Sequence, residues 1–370
     1  MHPNTLAPAY IRAIAAYVPG KPIAELAREM DLVETDIVKL ASNENPLGAS
    51  LRARAAIEAE LSGLALYPDG NGFRLKSALA TRLGIGLERI VLGNGSNDVL
   101  EMVARAFLTP GTSAVYAQHA FAVYPLATQA AGATGIEAPA RAFGHDLEAM
   151  RAAIRPDTRV VWIANPNNPT GTLLAAAGLR AFLESVPEEV LVVLDEAYVE
   201  YLDPEARSPS LEWLDVFPNL VLTRTFSKAY GLAGLRVGFA LASAAVADLM
   251  NRVRQPFNVN SLALAAATAA LDDHDFLGES KRLNDAGMRQ LTQGFAALDL
   301  DWIPSAGNFV CVRVGDAAAV NAELLRRGII VRPVANYGLA EYLRVSIGLP
   351  EQNARLLAAL GEILARPSGT

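Results

Sequence analysis

The stretch Leu220-Val221-Leu222-Thr223-Arg224-Thr225-Phe226-Ser227-Lys228-Ala229-Tyr230-Gly231-Leu232-Ala233-Gly234-Leu235-Arg236 opens on an apolar run and closes on an arginine. The run Leu220-Val221-Leu222 reads as a buried strand. Lys228 follows, with Thr225 and Ser227 before it and Arg236 after it. An amine can form a Schiff base, and hydroxyls with a guanidinium can hold a phosphate. A pyridoxal 5'-phosphate (PLP) site needs that combination. Taken alone, Lys228 reads better as a surface lysine in a strand-to-helix loop, so its meaning depends on the rest of the chain.

Val190-Leu191-Val192-Val193-Leu194-Asp195-Glu196-Ala197-Tyr198 supplies a second part. Its valine-rich run reads as a strand buried on both faces. Open α/β sheets place ligands at the carboxyl ends of such strands, where Asp195 stands. A carboxylate there can keep a pyridine nitrogen protonated, so that the ring accepts electrons. Asp195 could equally cap a helix N-terminus. Tyr198 can reach the same ligand from a turn or a first helical turn.

Val160-Val161-Trp162-Ile163-Ala164 leads into Asn165-Pro166-Asn167-Asn168-Pro169-Thr170-Gly171, a rigid turn off a strand end. The Asn168 amide can donate to a phenolate oxygen, although Asn, Pro and Gly are also ordinary loop residues. Gly93-Asn94-Gly95-Ser96-Asn97-Asp98-Val99-Leu100-Glu101 follows Arg89-Ile90-Val91-Leu92 and opens a helical pattern. Backbone N–H groups at a helix N-terminus bind phosphate. With Asp at 98 the segment is not G-x-G-x-x-G, and no Walker pattern occurs.

Together these four segments resemble the fold-type I PLP enzymes, and within them the histidinol-phosphate aminotransferases. The resemblance runs nearly the whole chain. It includes Tyr17-Val18-Pro19-Gly20-Lys21-Pro22-Ile23, Lys39-Leu40-Ala41-Ser42-Asn43-Glu44-Asn45-Pro46-Leu47-Gly48, Tyr67-Pro68-Asp69-Gly70, Val331-Arg332-Pro333-Val334 and Leu343-Arg344-Val345-Ser346-Ile347-Gly348. It implies an α/β fold: a large domain with a mainly parallel seven-stranded sheet and a smaller α/β C-terminal domain. The expected bounds are an N-terminal arm at 1–35, the large domain at 36–250 and the small domain at 251–370.

The resemblance also implies roles. Lys228, Asp195 and Tyr198 form the catalytic set. Lys228 forms the Schiff base and shuttles the proton, Asp195 pairs with the pyridine nitrogen, and Asn168 and Tyr198 hold the phenolate oxygen. Ser96, Asn97, Thr225, Ser227 and Arg236 hold the phosphate. Phe121 stacks on the ring, and Tyr67 reaches the phosphate of the neighbouring subunit's cofactor. Arg344 binds the anionic end of the substrate, with Tyr17, Asn45 and Arg332 as further substrate-binding residues. The implied reaction exchanges an amino group between L-histidinol phosphate and 2-oxoglutarate in a homodimer with shared sites. An aromatic amino-acid aminotransferase and a threonine-phosphate decarboxylase remain alternatives.

Composition agrees with an enzyme of this kind. The 370 residues are 52% hydrophobic and 19% charged, enough for a large core. A net charge of −7 and a pI near 5.3 argue against nucleic-acid or anionic-membrane partners, so an anionic substrate needs a local positive site. One cysteine, Cys311, excludes a disulfide within the chain and suits a reducing cytoplasm. No signal-peptide pattern precedes Tyr17. The apolar run from Leu262 to Leu271 is too short to span a bilayer. The four histidines are scattered, with no metal-ligand spacing, and no G-x-S-x-G elbow is present.

From about 89 to 242, apolar strands alternate with helical segments at Ile90-Leu92, Ala114-Tyr116, Val160-Ala164, Leu191-Leu194, Leu220-Leu222 and Val237-Leu241. Alternation means βα units with right-handed crossovers. A long helical stretch is expected over about 245–298. Strands at Phe309-Val314, Ile329-Val331 and Leu343-Ile347 follow, with helices at 317–327 and 351–364.

Overall fold

The computed structural model describes residues 5–17 and 19–365. Val18, within the quoted N-terminal motif, and the ends of the expected arm and small domain lie outside the described residues. Seven strands form the main sheet. Their spatial order is Ile90–Gly93, Gly238–Leu241, Leu220–Thr225, Leu191–Asp195, Thr158–Ala164, Ser113–Ala117 and Thr134–Ala138. All neighbours run parallel except Gly238–Leu241, which is antiparallel to both of its partners.

The strands are apolar on both sides because helices cover both faces. Leu92, Val115, Val161, Ile163, Val192 and Leu222 enter one core. Their alternating neighbours Val91, Ala114, Trp162, Val193 and Val221 enter the other. The six strands expected from apolar runs are present. The seventh, Thr134–Ala138, is an edge strand exposed along most of its length, and its Thr-Gly-Ile-Glu-Ala sequence carries no apolar run.

The second unit is a four-stranded antiparallel sheet in the order Trp302–Ile303, Phe309–Arg313, Leu339–Ser346, Arg332–Val334. Helices Ala317–Arg326 and Pro350–Leu364 cover it. Ile329–Ile330 leaves this sheet and pairs in parallel with Val38–Lys39. Residues 38–40 therefore pack with the C-terminal core, across the expected boundary at 36. The long helical stretch expected over about 245–298 consists of three helices, Ala244–Val253, Ser261–Leu271 and His274–Ala297. The Asn260 and Asp273 side chains accept from Ala263 and Phe276 backbone N–H groups, which restarts the helix twice. Ser261–Leu271 packs on Leu51–Glu60 and Phe73–Leu83, so it belongs to the large core rather than beyond a boundary at 250. No helix among the described residues is long and apolar enough to cross a membrane.

Candidate active site

Strand pairing brings Ala164 beside Asp195 and Asp195 beside Thr223 at the carboxyl ends of three parallel strands. A cleft of about 200 Å³ opens above them. Lys228 lies just past the strand Leu220–Thr225, and its Nζ donates to the Ser42 carbonyl at 3.1 Å. Burial pushes its pKa down to about 8, and the Arg344 and Arg236 guanidiniums push the same way, against Glu44 and Asp195. An amine in that range is partly neutral near neutral pH, as a nucleophile or proton carrier must be.

Asp195 is 5% exposed. Its two oxygens accept from the Tyr124 hydroxyl and the Thr223 hydroxyl, each at 2.9 Å. It caps no helix: the next helical turn, Val199–Tyr201, has Tyr198 at its N-cap. Burial raises its pKa despite these hydroxyl donors and the backbone N–H of Ala197. Among the described residues this carboxylate forms no close ion pair, and a protonated ring nitrogen would supply one. Tyr198 is buried and accepts from the Asn43 amide at 3.0 Å. Burial pushes its phenol up to about 12. Lys228 Nζ lies 5.9 Å from the centre of its ring.

One end of the cleft is built to take an anion. The helix Ser96–Phe107 aims its N-terminus there, with Gly95 as its N-cap in the left-handed region at φ 81°. A Cβ on Gly95 would lie 2.5 Å from Arg236 Nη2, so a side chain there would push the guanidinium from its place. A Cβ on Gly238 would lie 2.6 Å from the Ser96 nitrogen, so the missing side chain lets the helix start against the strand. Arg236 donates to the Ser227 hydroxyl at 3.4 Å and to the Ala233 carbonyl at 3.1 Å. The Ser227 N–H donates to the Thr225 hydroxyl at 3.1 Å. Ser96, Asn97, Thr225, Ser227 and Arg236 all line the cleft.

The other end carries Arg344, Arg332, Tyr17 and Tyr337. Arg344 is buried, and donates to Asn168 Oδ1 and to the Ala41 carbonyl, both at 2.6 Å. Its Nε is buried and has no hydrogen-bond partner among the described residues. Because Arg344 claims the Asn168 oxygen, the Asn168 amide nitrogen is left as a donor. Arg332 stacks over the Tyr17 ring at 5.7 Å. Phe121 lines the wall and meets Tyr124 edge-on at 5.8 Å. Against the cations Lys228, Arg236, Arg332 and Arg344, the lining contains one acidic residue, Asp195. This is the local positive site that a chain of net charge −7 needs for an anionic ligand.

The residues present fit PLP. Ser96 and Arg236 would hold its phosphate, Asp195 its ring nitrogen, Asn168 and Tyr198 its phenolate oxygen, and Lys228 its carbonyl carbon. Among the described residues, no cluster of His, Cys, Asp and Glu could hold a metal ion.

Two expected residues stand elsewhere. Asn45 is buried outside the cleft, and its amide donates to the Ala229 carbonyl and Ser280 hydroxyl while its oxygen accepts from Leu47 N–H. These bonds hold the loop, and Asn45 does not line the cleft. Tyr67 is 84% exposed, outside the cleft of its own chain, and stacks on Phe257 at 4.7 Å. Four lining residues with polar side chains were not singled out as site residues by sequence: Ser42, Asn43, Tyr124 and Tyr337. Asn43 had a signal in its place two residues before Asn45 in the Ser42-Asn43-Glu44-Asn45 turn. Tyr124 looks like a core aromatic, and it is stacked on Trp162 at 5.5 Å.

Residues 35–360 match the family described as aminotransferase class I and II. The chain belongs to that family. Among curated members, a histidinol-phosphate aminotransferase of Thiobacillus denitrificans is 67% identical over 98% of this chain and 94% of its own. One of Pseudomonas aeruginosa is 63% identical over 96% of each. Among solved structures, histidinol-phosphate aminotransferase from Sinorhizobium meliloti in complex with pyridoxal-5'-phosphate superimposes with a TM-score of 0.87 at 30% identity, covering 96% of both chains. This aminotransferase therefore shares its fold, nearly end to end, with a protein that holds PLP.

Proposed function

We propose that this aminotransferase uses PLP to exchange an amino group between L-histidinol phosphate and 2-oxoglutarate, a step of histidine biosynthesis. The observation that carries the reading is a buried amine of lowered pKa between two separate anion-binding ends. The cofactor phosphate would take the end at Ser96 and Arg236. Arg344 and Arg332 remain for the substrate anion, which is a phosphate in one substrate and a carboxylate in the other. The identity to relatives bearing this activity's name supports the same substrates here.

PLP, when bound, supplies an electron sink for the charge left when a carbon loses its proton. The chain does the rest. Arg344 fixes the anionic end of the donor, which places the amine-bearing carbon over Lys228. Lys228 Nζ takes the proton from that carbon and later returns it. Asp195, held by Tyr124 and Thr223, keeps a positive charge on the ring side of the cleft. Asn168 and Tyr198 direct donors at the opposite edge.

We further propose a homodimer whose sites are shared through Tyr67. Exposed Leu66, next to it in the chain, and Phe257, stacked on its ring, add apolar surface of the kind that marks interfaces. A cytoplasmic location suits the buried Cys311, whose thiol burial pushes up to about 12. The test is a donor panel with 2-oxoglutarate. Histidinol phosphate should exceed phenylalanine and tyrosine in kcat/KM by at least about tenfold, the worth of one good charged contact. A preference for either aromatic acid, or carbon dioxide release from threonine phosphate, would overturn the assignment.

A further inference from the structure

Three consecutive residues, Ala41, Ser42 and Asn43, each contact one functional group of the cleft. The Ala41 carbonyl accepts from Arg344, the Ser42 carbonyl from Lys228, and the Asn43 amide donates to Tyr198. Asn43 is 1% exposed and sits in the left-handed region at φ 54°. Its backbone N–H donates to the Ser346 hydroxyl oxygen at 2.8 Å, and the Ser346 hydroxyl donates back to Asn43 Oδ1 at 3.1 Å. Ser346 ends the strand Leu339–Ser346, two positions beyond Arg344. Asn308 Nδ2 also holds the Asn43 carbonyl, at 3.0 Å.

These bonds settle the polarity of a hydroxyl. Ser346 claims Oδ1, so the Asn43 side chain can present only its NH₂ to Tyr198. An NH₂ group donates and cannot accept. One lone pair of Tyr198 Oη is thereby occupied, and its own proton must point away from Asn43, into the cleft. We infer that Ser346 and Asn43 are positioning residues that hold Tyr198 as a hydrogen-bond donor toward the ligand. The inference rests on the PLP reading of the cleft and adds the reason why Tyr198 donates.

The same strand end carries the anion-binding arginine and this hydroxyl switch. Around Tyr198 the other charged or titratable groups include Arg344, Asp195, Tyr337, Lys228, Tyr124 and Tyr201. None of them is an amide that could replace Asn43 in orienting the phenol.

The test is spectroscopic and uses the cofactor-loaded protein without any amino donor. A donor facing the cofactor's phenolate oxygen stabilises its anion, so losing that donor makes the group hold its proton more tightly. The pH midpoint of the visible absorption band should therefore rise. Asn43→Gly is the right probe, because glycine accepts a positive φ without strain. It should raise the midpoint by about 0.5–1 pH unit, one neutral hydrogen bond's worth. Ser346→Ala should move it the same way by less. In a Tyr198→Phe background, which has already lost the hydroxyl, Asn43→Gly should add almost nothing. An equal shift in both backgrounds, or none in the parent, would overturn the inference, with thermal melting run alongside to confirm that each variant is folded. Because no amino donor is present, failure to accept histidinol phosphate would refute the substrate assignment and leave this result standing.

Discussion

Asp195→Asn should separate holding the cofactor from holding the fold. In the structure the carboxylate accepts two hydroxyl hydrogen bonds, from Tyr124 and Thr223, each at 2.9 Å. An asparagine keeps one acceptor and turns the other atom into a donor. A hydroxyl can rotate to accept from it, so the local cost is about 1 kcal/mol or less. The lost charge acts in two directions. In the cofactor-free protein, burial raises the Asp195 pKa. A carboxylate with a raised folded pKa carries no charge penalty below the ordinary Asp value of 3.8, and destabilises as pH rises through its folded value. Removing the charge lifts that penalty, so the cofactor-free variant should melt no lower than its parent at pH 8. With cofactor bound, the carboxylate instead faces a cationic ring nitrogen. Losing that charge-assisted bond costs about 1.5–3 kcal/mol, or about 10- to 150-fold in the proton-transfer rate. Rapid single-turnover absorbance measures the rate, and scanning calorimetry measures the melt. Turnover within threefold of the parent would refute the ring-partner role, and a collapsed melt without cofactor would make Asp195 a structural residue.

The remaining expectations concern Lys228 and the second subunit. The rate at which cofactor-free protein captures PLP should rise with pH through about 8, because the neutral amine forms there and not near 10.5. Arg344→Gln should move that midpoint upward, since Arg344 is the charge that most lowers the Lys228 pKa; stopped-flow absorbance across pH checks both. Lys228→Ala and Tyr67→Ala proteins, unfolded, mixed equally and refolded at limiting PLP, should show activity above the average of the two parents. Tyr67→Ala alone should weaken PLP binding by about 1–3 kcal/mol. Simple averaging would mean that Tyr67 acts within its own chain, where it stacks on Phe257.

The parallel core was legible because its strands are apolar on both faces, and local sequence carries that pattern. Thr134–Ala138 was not legible, since an exposed edge strand needs no apolar run. The pairing of Val38–Lys39 with Ile329–Ile330 was invisible for a different reason: two residues on each side, far apart in sequence, leave no periodicity. The helical breaks near 260 and 273 depend on two capping side chains, Asn260 and Asp273, within a stretch otherwise of helical composition. In the site, Lys228, Asp195 and Arg236 stood out because charged groups at strand ends are conspicuous. Asn43 and Asn45 look alike in one turn, yet the backbone turns one toward Tyr198 and the other toward Ser280. Tyr124 reads as core by its apolar neighbours, and only the fold brings its hydroxyl to Asp195 at the carboxyl end of the central strand.

The central claim is that Lys228 is the reacting amine. The chain has five lysines. Lys21, Lys39 and Lys281 are ion-paired with carboxylates, and the pairing raises the pKa of Lys21 and Lys281. Lys76 is the serious competitor, because burial beside Arg254 lowers its pKa as well. Borohydride reduction of the cofactor-loaded protein, followed by peptide mass mapping, reads the answer directly. The reduced cofactor should be found on the peptide that carries Lys228 and on no other. Recovery on Lys76, or on Lys21, Lys39 or Lys281, would contradict it.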